Sequence, residues 1–157
     1  MELEVNNGGN MYTLNKANIW YIWKGTSWAA TTPFNGTYVI SSGTNSVDGG
    51  FGYWNVTPYV QLYPTNRATG QQWIWNGSKL SNVEVAAGGS RGATGPFLAD
   101  SGNGTATENS TGDTFKLIPV SGGYNVQDLR TGNYLGNASN VLVFGTAQKS
   151  VWSFTSP

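Results

Sequence analysis

The sequence of 157 residues contains no cysteine and no histidine, and charged residues make up only 10% of it. Without cysteine the chain forms no disulfide and offers neither a thiolate nucleophile nor a thiolate zinc ligand. Without histidine it lacks the commonest general base and the commonest metal ligand. These absences exclude most familiar hydrolase chemistry, so we expect no enzyme, no metal site and no cofactor.

Charge of either sign is scarce and balanced, with eight basic and eight acidic side chains. No Lys/Arg cluster can neutralise a row of phosphates, so nucleic acid is not an expected partner. No apolar run approaches the roughly 18 residues of a membrane-spanning helix. Residues 1–6 are acidic and lack the pattern of a secretory signal, which predicts a cytoplasmic protein and leaves a non-classical route of secretion open.

Large rings and glycines are what the chain has in quantity: seven Trp, eight Tyr, six Phe and 22 Gly. Few but large side chains can build the core of a small domain. Glycines interrupt nearly every stretch with helical spacing, whereas short alternating runs are common. These runs predict strands near residues 18–23, 37–40, 59–63, 72–75, 114–118, 141–144 and 151–154. The pattern predicts an all-β sandwich or barrel.

Three segments close in the same way, each with a large ring at a fixed place: Gln71-Gln72-Trp73, Asp113-Thr114-Phe115 and Ser150-Val151-Trp152. The rings are 42 and 37 residues apart. Units of about 40 residues with four short strands predict a β-trefoil over residues 35–157, with repeats at 35–76, 77–120 and 121–157. A rival division uses three longer units of about 52 residues that include the N-terminus.

Residues 1–34 precede the predicted trefoil. The run Ile19-Trp20-Tyr21-Ile22-Trp23, a polar turn and Trp28 predict a hairpin that is apolar on both faces. An isolated hairpin is marginally stable in water. We therefore expect this extension to pack on the trefoil or to form a homodimer with a second copy.

The intact triplet Gln71-Gln72-Trp73 and the stretch Ser-Gly-Gly-Tyr-Asn-Val-Gln-Asp at 121–128 resemble the ricin-B-like β-trefoil lectins. Among these, the chain looks most like the small cytoplasmic lectins of mushroom fruiting bodies. The resemblance implies a non-catalytic fungal defence protein that binds glycans in shallow pockets, up to one per repeat. It also implies that the Gln-x-Trp rings, here Trp73, Phe115 and Trp152, fill the barrel core.

Galactose-binding members of that family combine an aromatic platform, an Asn directly before Gln-x-Trp and an upstream Asp. In the first repeat Tyr63 matches the platform, but Gly70 stands in place of the Asn. In the second repeat Glu108 replaces the platform, whereas Phe144 matches it in the third. No repeat keeps the full set, so the sequence does not identify the sugar.

The first repeat is the richest in rings and polar side chains, which suit the two faces of a sugar. We predict a carbohydrate site there from Asp48, Tyr53, Trp54, Asn55, Tyr63, Asn66 and Arg67. Tyr53 and Trp54 are adjacent and therefore alternate in direction. The alternative interpretation is that one of the two rings only packs on the barrel. A second candidate cluster in the third repeat comprises Asp128, Arg130, Asn133 and Tyr134, of which Asp128 and Arg130 are open to being only an ion pair.

Two other classes of function compete with the lectin interpretation. A mushroom trefoil of the protease-inhibitor type would act through a surface loop such as residues 87–95, although so glycine-rich a loop would lose much entropy on docking. A glycosidase would need a pair of carboxylates. The acidic residues downstream of that loop are expected to be solvated turn positions instead: Asp100, Glu108, Asp113 and Asp128.

Overall fold

A computed structural model describes residues 2–5, 9–16, 19–33, 35–88, 92–147 and 149–157. Near the N-terminus the described residues form an antiparallel sheet in the order β1-β2-β3-β4. Its strands are β1 (Glu2–Val5), β2 (Met11–Leu14), β3 (Trp20–Trp23) and β4 (Trp28–Thr31). The hairpin that the sequence predicts is β3–β4, with Trp23 opposite Trp28. Asn18, where the predicted strand begins, lies outside the described residues.

The rest of the described chain contributes four strands to each predicted repeat. The first repeat contains β5 (Gly36–Ser42), β6 (Asn45–Asp48), β7 (Gln61–Pro64) and β8 (Gln72–Trp75). The second contains β9 (Leu80–Asn82), β10 (Phe97–Asp100), β11 (Ala106–Asn109) and β12 (Phe115–Val120). The third contains β13 (Gly123–Asp128), β14 (Tyr134–Ala138), β15 (Val141–Gly145) and β16 (Ser153–Thr155).

Strand pairing follows the same rule in every repeat. The second strand pairs with the third, as in β6–β7, β10–β11 and β14–β15. The fourth strand pairs with the first strand of the next repeat, and β16 closes the ring by pairing with β5. This cyclic pairing is that of a β-trefoil and confirms the predicted fold class.

The rings of the three closing segments are all in the core: Trp73 and Trp152 are fully buried, and Phe115 is 3% exposed. Each indole N–H donates to a carbonyl on the second strand of its own repeat. Trp73 donates to Val47 and Trp152 donates to Leu135, both at 2.9 Å. The two indoles therefore occupy corresponding places in the barrel core. Each also fixes the position of the neighbouring strand that accepts its hydrogen bond.

The N-terminal sheet packs on the trefoil through Trp20, which is fully buried. The backbone N–H of Trp20 donates to the Tyr124 hydroxyl at 2.8 Å, and that hydroxyl donates to the Thr31 carbonyl at 2.8 Å. The Trp20 ring also lies edge-on to Tyr38, with centroids 6.2 Å apart. Trp28 on the same sheet is 41% exposed. Association of two copies through this sheet remains a prediction.

Among the described residues, two short α-helices and a 3-10 turn (Thr69–Gln71) interrupt the β-structure and were not predicted from the sequence. Helix α1 (Gly50–Tyr53) lies between β6 and β7, and α2 (Val83–Gly88) follows β9. The side chain of Asn82 starts α2 by accepting the N–H of Val85 at 3.1 Å. These helices are too short for a periodicity test, yet they carry several residues of the site described below. No helix among the described residues is long and apolar enough to cross a membrane.

Candidate functional site

A pocket of about 250 Å³ opens on the first repeat, at the end of β6. We call it the first-repeat pocket, and its lining residues are Asp48, Gly50, Phe51, Trp54, Tyr63, Ala68, Gly70 and Glu84. Three residues of the sequence-predicted site, Asp48, Trp54 and Tyr63, are therefore brought together. Phe51, Glu84 and the two glycines were not predicted.

One side of the first-repeat pocket is aromatic. Trp54 is 59% exposed and Tyr63 is 48% exposed, so both rings present apolar faces near solvent. Tyr63 lies edge-on to Phe51, with ring centroids 6.0 Å apart. Tyr53 lies edge-on to Trp54 at 4.7 Å and packs against Gly88 of α2. Of the adjacent pair, Trp54 therefore lines the pocket and Tyr53 supports it.

The lining also includes two carboxylates, Asp48 at the end of β6 and Glu84 in the first turn of α2. Asp48 Oδ1 accepts the N–H of Gly50 at 2.9 Å. Burial raises the pKa of Asp48 above its ordinary value, and the Gly50 N–H partly opposes this effect. Glu84 Oε2 accepts the Thr69 hydroxyl at 3.3 Å. The pocket thus combines apolar rings with oxygens that retain capacity to accept hydrogen bonds.

Gly70 forms part of the pocket between these carboxylates. A Cβ at this position would lie 2.7 Å from Asp48 Oδ1 and 2.9 Å from Glu84 Oε2. A larger residue here would require the two carboxylates to move. The glycine that departs from the galactose-binding pattern therefore leaves room for Asp48 and Glu84 to converge.

Gln71 of the Gln-x-Trp triplet is fully buried and organises the turn after β7. Its Oε1 accepts the backbone N–H groups of Asn66 at 2.9 Å and Arg67 at 3.1 Å. Arg67 reaches away to donate to the Ser156 carbonyl at 3.1 Å. Asn66 and Arg67 thus build the turn and do not line the first-repeat pocket. Asn55, also predicted for the site, packs against Gly92 and is likewise outside the lining.

The third-repeat cluster is occupied by internal hydrogen bonds. Arg130 donates to Asp113 in a two-pronged contact at 2.7 and 2.9 Å, whereas its Nη2 is 3.9 Å from Asp128 Oδ2. Asn133 Nδ2 donates to Asp100 at 2.8 Å. The Lys149 ammonium lies 4.5 Å from the centroid of the Tyr134 ring. The cluster joins the second and third repeats, and the main ionic partner of Arg130 is Asp113 and not Asp128.

The expectation that the four downstream carboxylates are solvated was wrong, since all of them are buried: Asp100, Glu108, Asp113 and Asp128. Burial would raise the pKa of Asp113, but hydrogen bonds and charge from Arg130 outweigh it and lower that pKa. Asp128 accepts hydrogen bonds from the Arg130 N–H at 2.8 Å and the Thr131 hydroxyl at 2.7 Å, which closes a turn. These groups hold the fold together.

Glu108 differs from the other three because its two buried carboxyl oxygens have no hydrogen-bond partner within the described part of the chain. They lie against Gly49 and Gly52, in the segment that leads from Asp48 into α1. Burial raises the pKa of Glu108 to about 9, with further contributions from the charges of Asp48 and Glu84. Glu108 is therefore neutral at pH 7. Glu108 occupies the position at which galactose-binding members carry the aromatic platform. Because it is buried, it cannot contact a sugar at the surface.

A second pocket is less suited to a sugar. It has a volume of about 650 Å³, and its lining contains only Ser, Gly, Asn and one Val, without a ring or a charge.

The loop considered for protease inhibition is described only in part, because residues 89–91 lie outside the described residues. In the remainder of that loop Ala93 is buried, and Gly95 packs against the Ser110 backbone. Across the described residues, no group of three or more acidic side chains is placed to hold a metal ion.

Comparison with solved structures identifies the agglutinin of Rhizoctonia solani as similar to this chain. The match covers 82% of this chain and all of that one, with a TM-score of 0.63 and 14% sequence identity. No family model and no curated protein matches the sequence. The structural likeness shows that this chain and that agglutinin share a fold, in agreement with the β-trefoil pairing of the strands.

Proposed function

We propose that this protein is a carbohydrate-binding lectin and that the first-repeat pocket is its glycan site. The observation that carries the proposal is the juxtaposition of the Trp54 and Tyr63 rings with the Asp48 and Glu84 carboxylates around one pocket. The fold it shares with an agglutinin supports the same class of function. As the resemblance to mushroom lectins implies, we further propose a defensive role.

The aromatic side suits the C–H face of a sugar ring. Trp54 and Tyr63 are each about half exposed, so a bound sugar would cover apolar surface that water now covers. The edge-on contacts of Tyr53 with Trp54 and of Phe51 with Tyr63 support both rings. Little ordering of these side chains is then needed on binding, which favours affinity.

The carboxylate side suits the sugar hydroxyls, which donate hydrogen bonds. Asp48 is positioned by the Gly50 N–H and Glu84 by the Thr69 hydroxyl, and each carboxylate has further lone pairs that can accept. Hydrogen bonds to a charged acceptor are stronger than those between neutral groups. The pocket is below the roughly 300–1,000 Å³ of a drug-sized site, so we expect it to hold one sugar residue of a larger glycan.

A glycan array probed with the purified protein tests this proposal, with Tyr63→Ala and Trp54→Ala as site variants. Trp28→Ala is the matched control, because Trp28 is also a partly exposed tryptophan but lies on the N-terminal sheet. We expect selective binding that both site variants lose and the control keeps. A single shallow pocket binds in roughly the millimolar range, about −4 kcal/mol, so the array should present glycans densely to allow avidity.

Two results would contradict the proposal. If both site variants bind glycans as the wild type does, the glycan site lies elsewhere, and the third-repeat cluster would be tested next. No glycan binding, together with inhibition of a cysteine or serine protease, would favour the inhibitor class instead. Thermal unfolding of each variant provides the check that the loss of binding is not a loss of fold.

A further inference from the structure

The polar side of the first-repeat pocket consists of paired negative charges. Asp48 Oδ1 and Glu84 Oε2 both lie within about 3 Å of the point that a Cβ on Gly70 would occupy. The same two oxygens lie 3.1 and 3.0 Å from the corresponding point on Gly50. The two carboxylates are therefore less than about 6 Å apart and converge on the same part of the pocket.

A third carboxyl group lies directly behind this pair. Glu108 is 2% exposed, and both its oxygens lack a hydrogen-bond partner among the described residues. It lies against Gly49 and Gly52, which flank the Gly50 of the pocket wall. The charges of Asp48 and Glu84 add to the burial that keeps Glu108 protonated. Burial is the main cause of the raised pKa of Glu108, and the contributions from Asp48 and Glu84 indicate a negative potential at this end of the pocket.

No positively charged residue is present in the described lining of the first-repeat pocket to balance this potential. A neutral sugar would donate hydrogen bonds but would leave both charges uncompensated in a partly desolvated site. An acidic sugar would be repelled. An ammonium group carries three donors and one positive charge, which matches two converging carboxylates, and neighbouring rings also attract it.

We propose that the first-repeat pocket selects sugars with a free amino group, binding the ammonium between Asp48 and Glu84 while the sugar ring lies against Trp54 and Tyr63. This inference rests on the proposed lectin function and specifies its ligand as a hexosamine that is not N-acetylated. In this scheme Gly70 leaves room for the two carboxylates, because a Cβ at this position would lie within 3 Å of both.

The test compares the methyl glycosides of glucosamine and galactosamine, each with its N-acetylated form, in NMR titrations of the intact protein. A pH of about 6.5 keeps most of the amine protonated and ordinary carboxyls ionised. We expect the amine form of one of the sugars to bind about tenfold or more tightly than its N-acetylated form, equivalent to about 1.4 kcal/mol. Added salt should reduce this ratio.

Glu84→Gln should reduce the preference for the amine to about threefold or less and leave the weaker affinity for the N-acetylated form nearly unchanged. Leu129→Lys is the control for net charge, because it changes the charge by the same amount at an exposed residue outside the pocket. It should keep the full preference. If Glu84→Gln unfolds the chain, Asp48→Asn provides an independent test with the same expected result.

The outcomes separate the inference from the proposed function. Equal binding of amine and N-acetylated forms, lost in Tyr63→Ala, would overturn the inference and retain the lectin site. A preference for the amine that survives both Glu84→Gln and Asp48→Asn would also overturn it. Absence of binding to every sugar, here and on the array, would overturn the proposed function itself.

Discussion

Replacing Glu108 with Gln should remove a pH dependence of stability that the buried carboxyl group creates. In the folded protein the pKa of Glu108 is raised from 4.5 to about 9. The unfolded chain loses this proton near pH 4.5, whereas the folded chain keeps it up to about pH 9. Between these values the folded state binds more protons, so the free energy of unfolding must fall as pH rises.

The slope of this effect is up to about 1.4 kcal/mol per pH unit for one group. From pH 5 to pH 8 the Glu108 contribution therefore falls by about 4 kcal/mol. Asp48, whose pKa is also raised, acts in the same direction and leaves a smaller residual slope. The lowered pKa of Asp113 acts mainly below pH 5, where stability is lost as pH falls, so it does not mask the effect.

Denaturant unfolding followed by tryptophan fluorescence, at constant ionic strength and from pH 5 to 8, measures the effect. The Glu108→Gln variant is isosteric and neutral in both states, so most of its slope should disappear. Its extra buried donor costs about 1–3 kcal/mol at every pH, which is why the slope and not the absolute stability is compared. Glu84→Gln serves as a comparison, because removing that charge should lower the pKa of Glu108. The fall in stability with rising pH should then end at a lower pH than in the wild type, in which it ends near pH 9.

A wild-type protein whose stability is constant from pH 5 to 8 would refute the assignment of Glu108 as a buried neutral acid. So would a Glu108→Gln variant with the full wild-type slope. Either result would also remove one support for the negative potential at the first-repeat pocket.

Three further predictions concern the fold. Trp73→Ala or Trp152→Ala should each lower the free energy of unfolding by about 3–5 kcal/mol, as measured by chemical denaturation, and an effect under about 1 kcal/mol would contradict their burial in the core. Trp20→Ala should destabilise the chain and alter its sedimentation coefficient if the N-terminal sheet also mediates association; unchanged stability and sedimentation would show its packing to be dispensable. Asp113→Asn should destabilise the protein near pH 7 and by a smaller amount near pH 3, and an equal loss at both pH values would exclude the ion pair with Arg130 as the cause.

Strand alternation and the recurrent rings were sufficient to predict the trefoil, because both features are local patterns of the sequence. The N-terminal sheet was predicted only in part. β3 is a dense run of aromatic and β-branched residues and β4 begins at Trp28, whereas β1 and β2 together contain a single aromatic ring.

The candidate site was harder to predict because its residues are brought together by irregular segments. Asp48, Trp54 and Tyr63 could be selected by residue type, but Asn66 and Arg67 are turned away by the buried Gln71. Glu84 was missed because it lies in α2, a six-residue helix that directly follows the polar strand β9 and is too short to show helical periodicity. The Asn82 cap and the following Val-Glu-Val-Ala-Ala run were the sequence signals that could have identified that helix.

The most direct test of the lectin assignment is a ¹H–¹⁵N NMR titration of the intact protein with the best glycan from the array. We expect saturable shifts of the Trp54 indole N–H and of the Gly50 and Gly70 amides, because these residues line the first-repeat pocket. The indole of Trp28 should not shift. Shifts confined to the large serine-lined pocket or to the turn around Arg130, with Trp54 unaffected, would contradict this expectation.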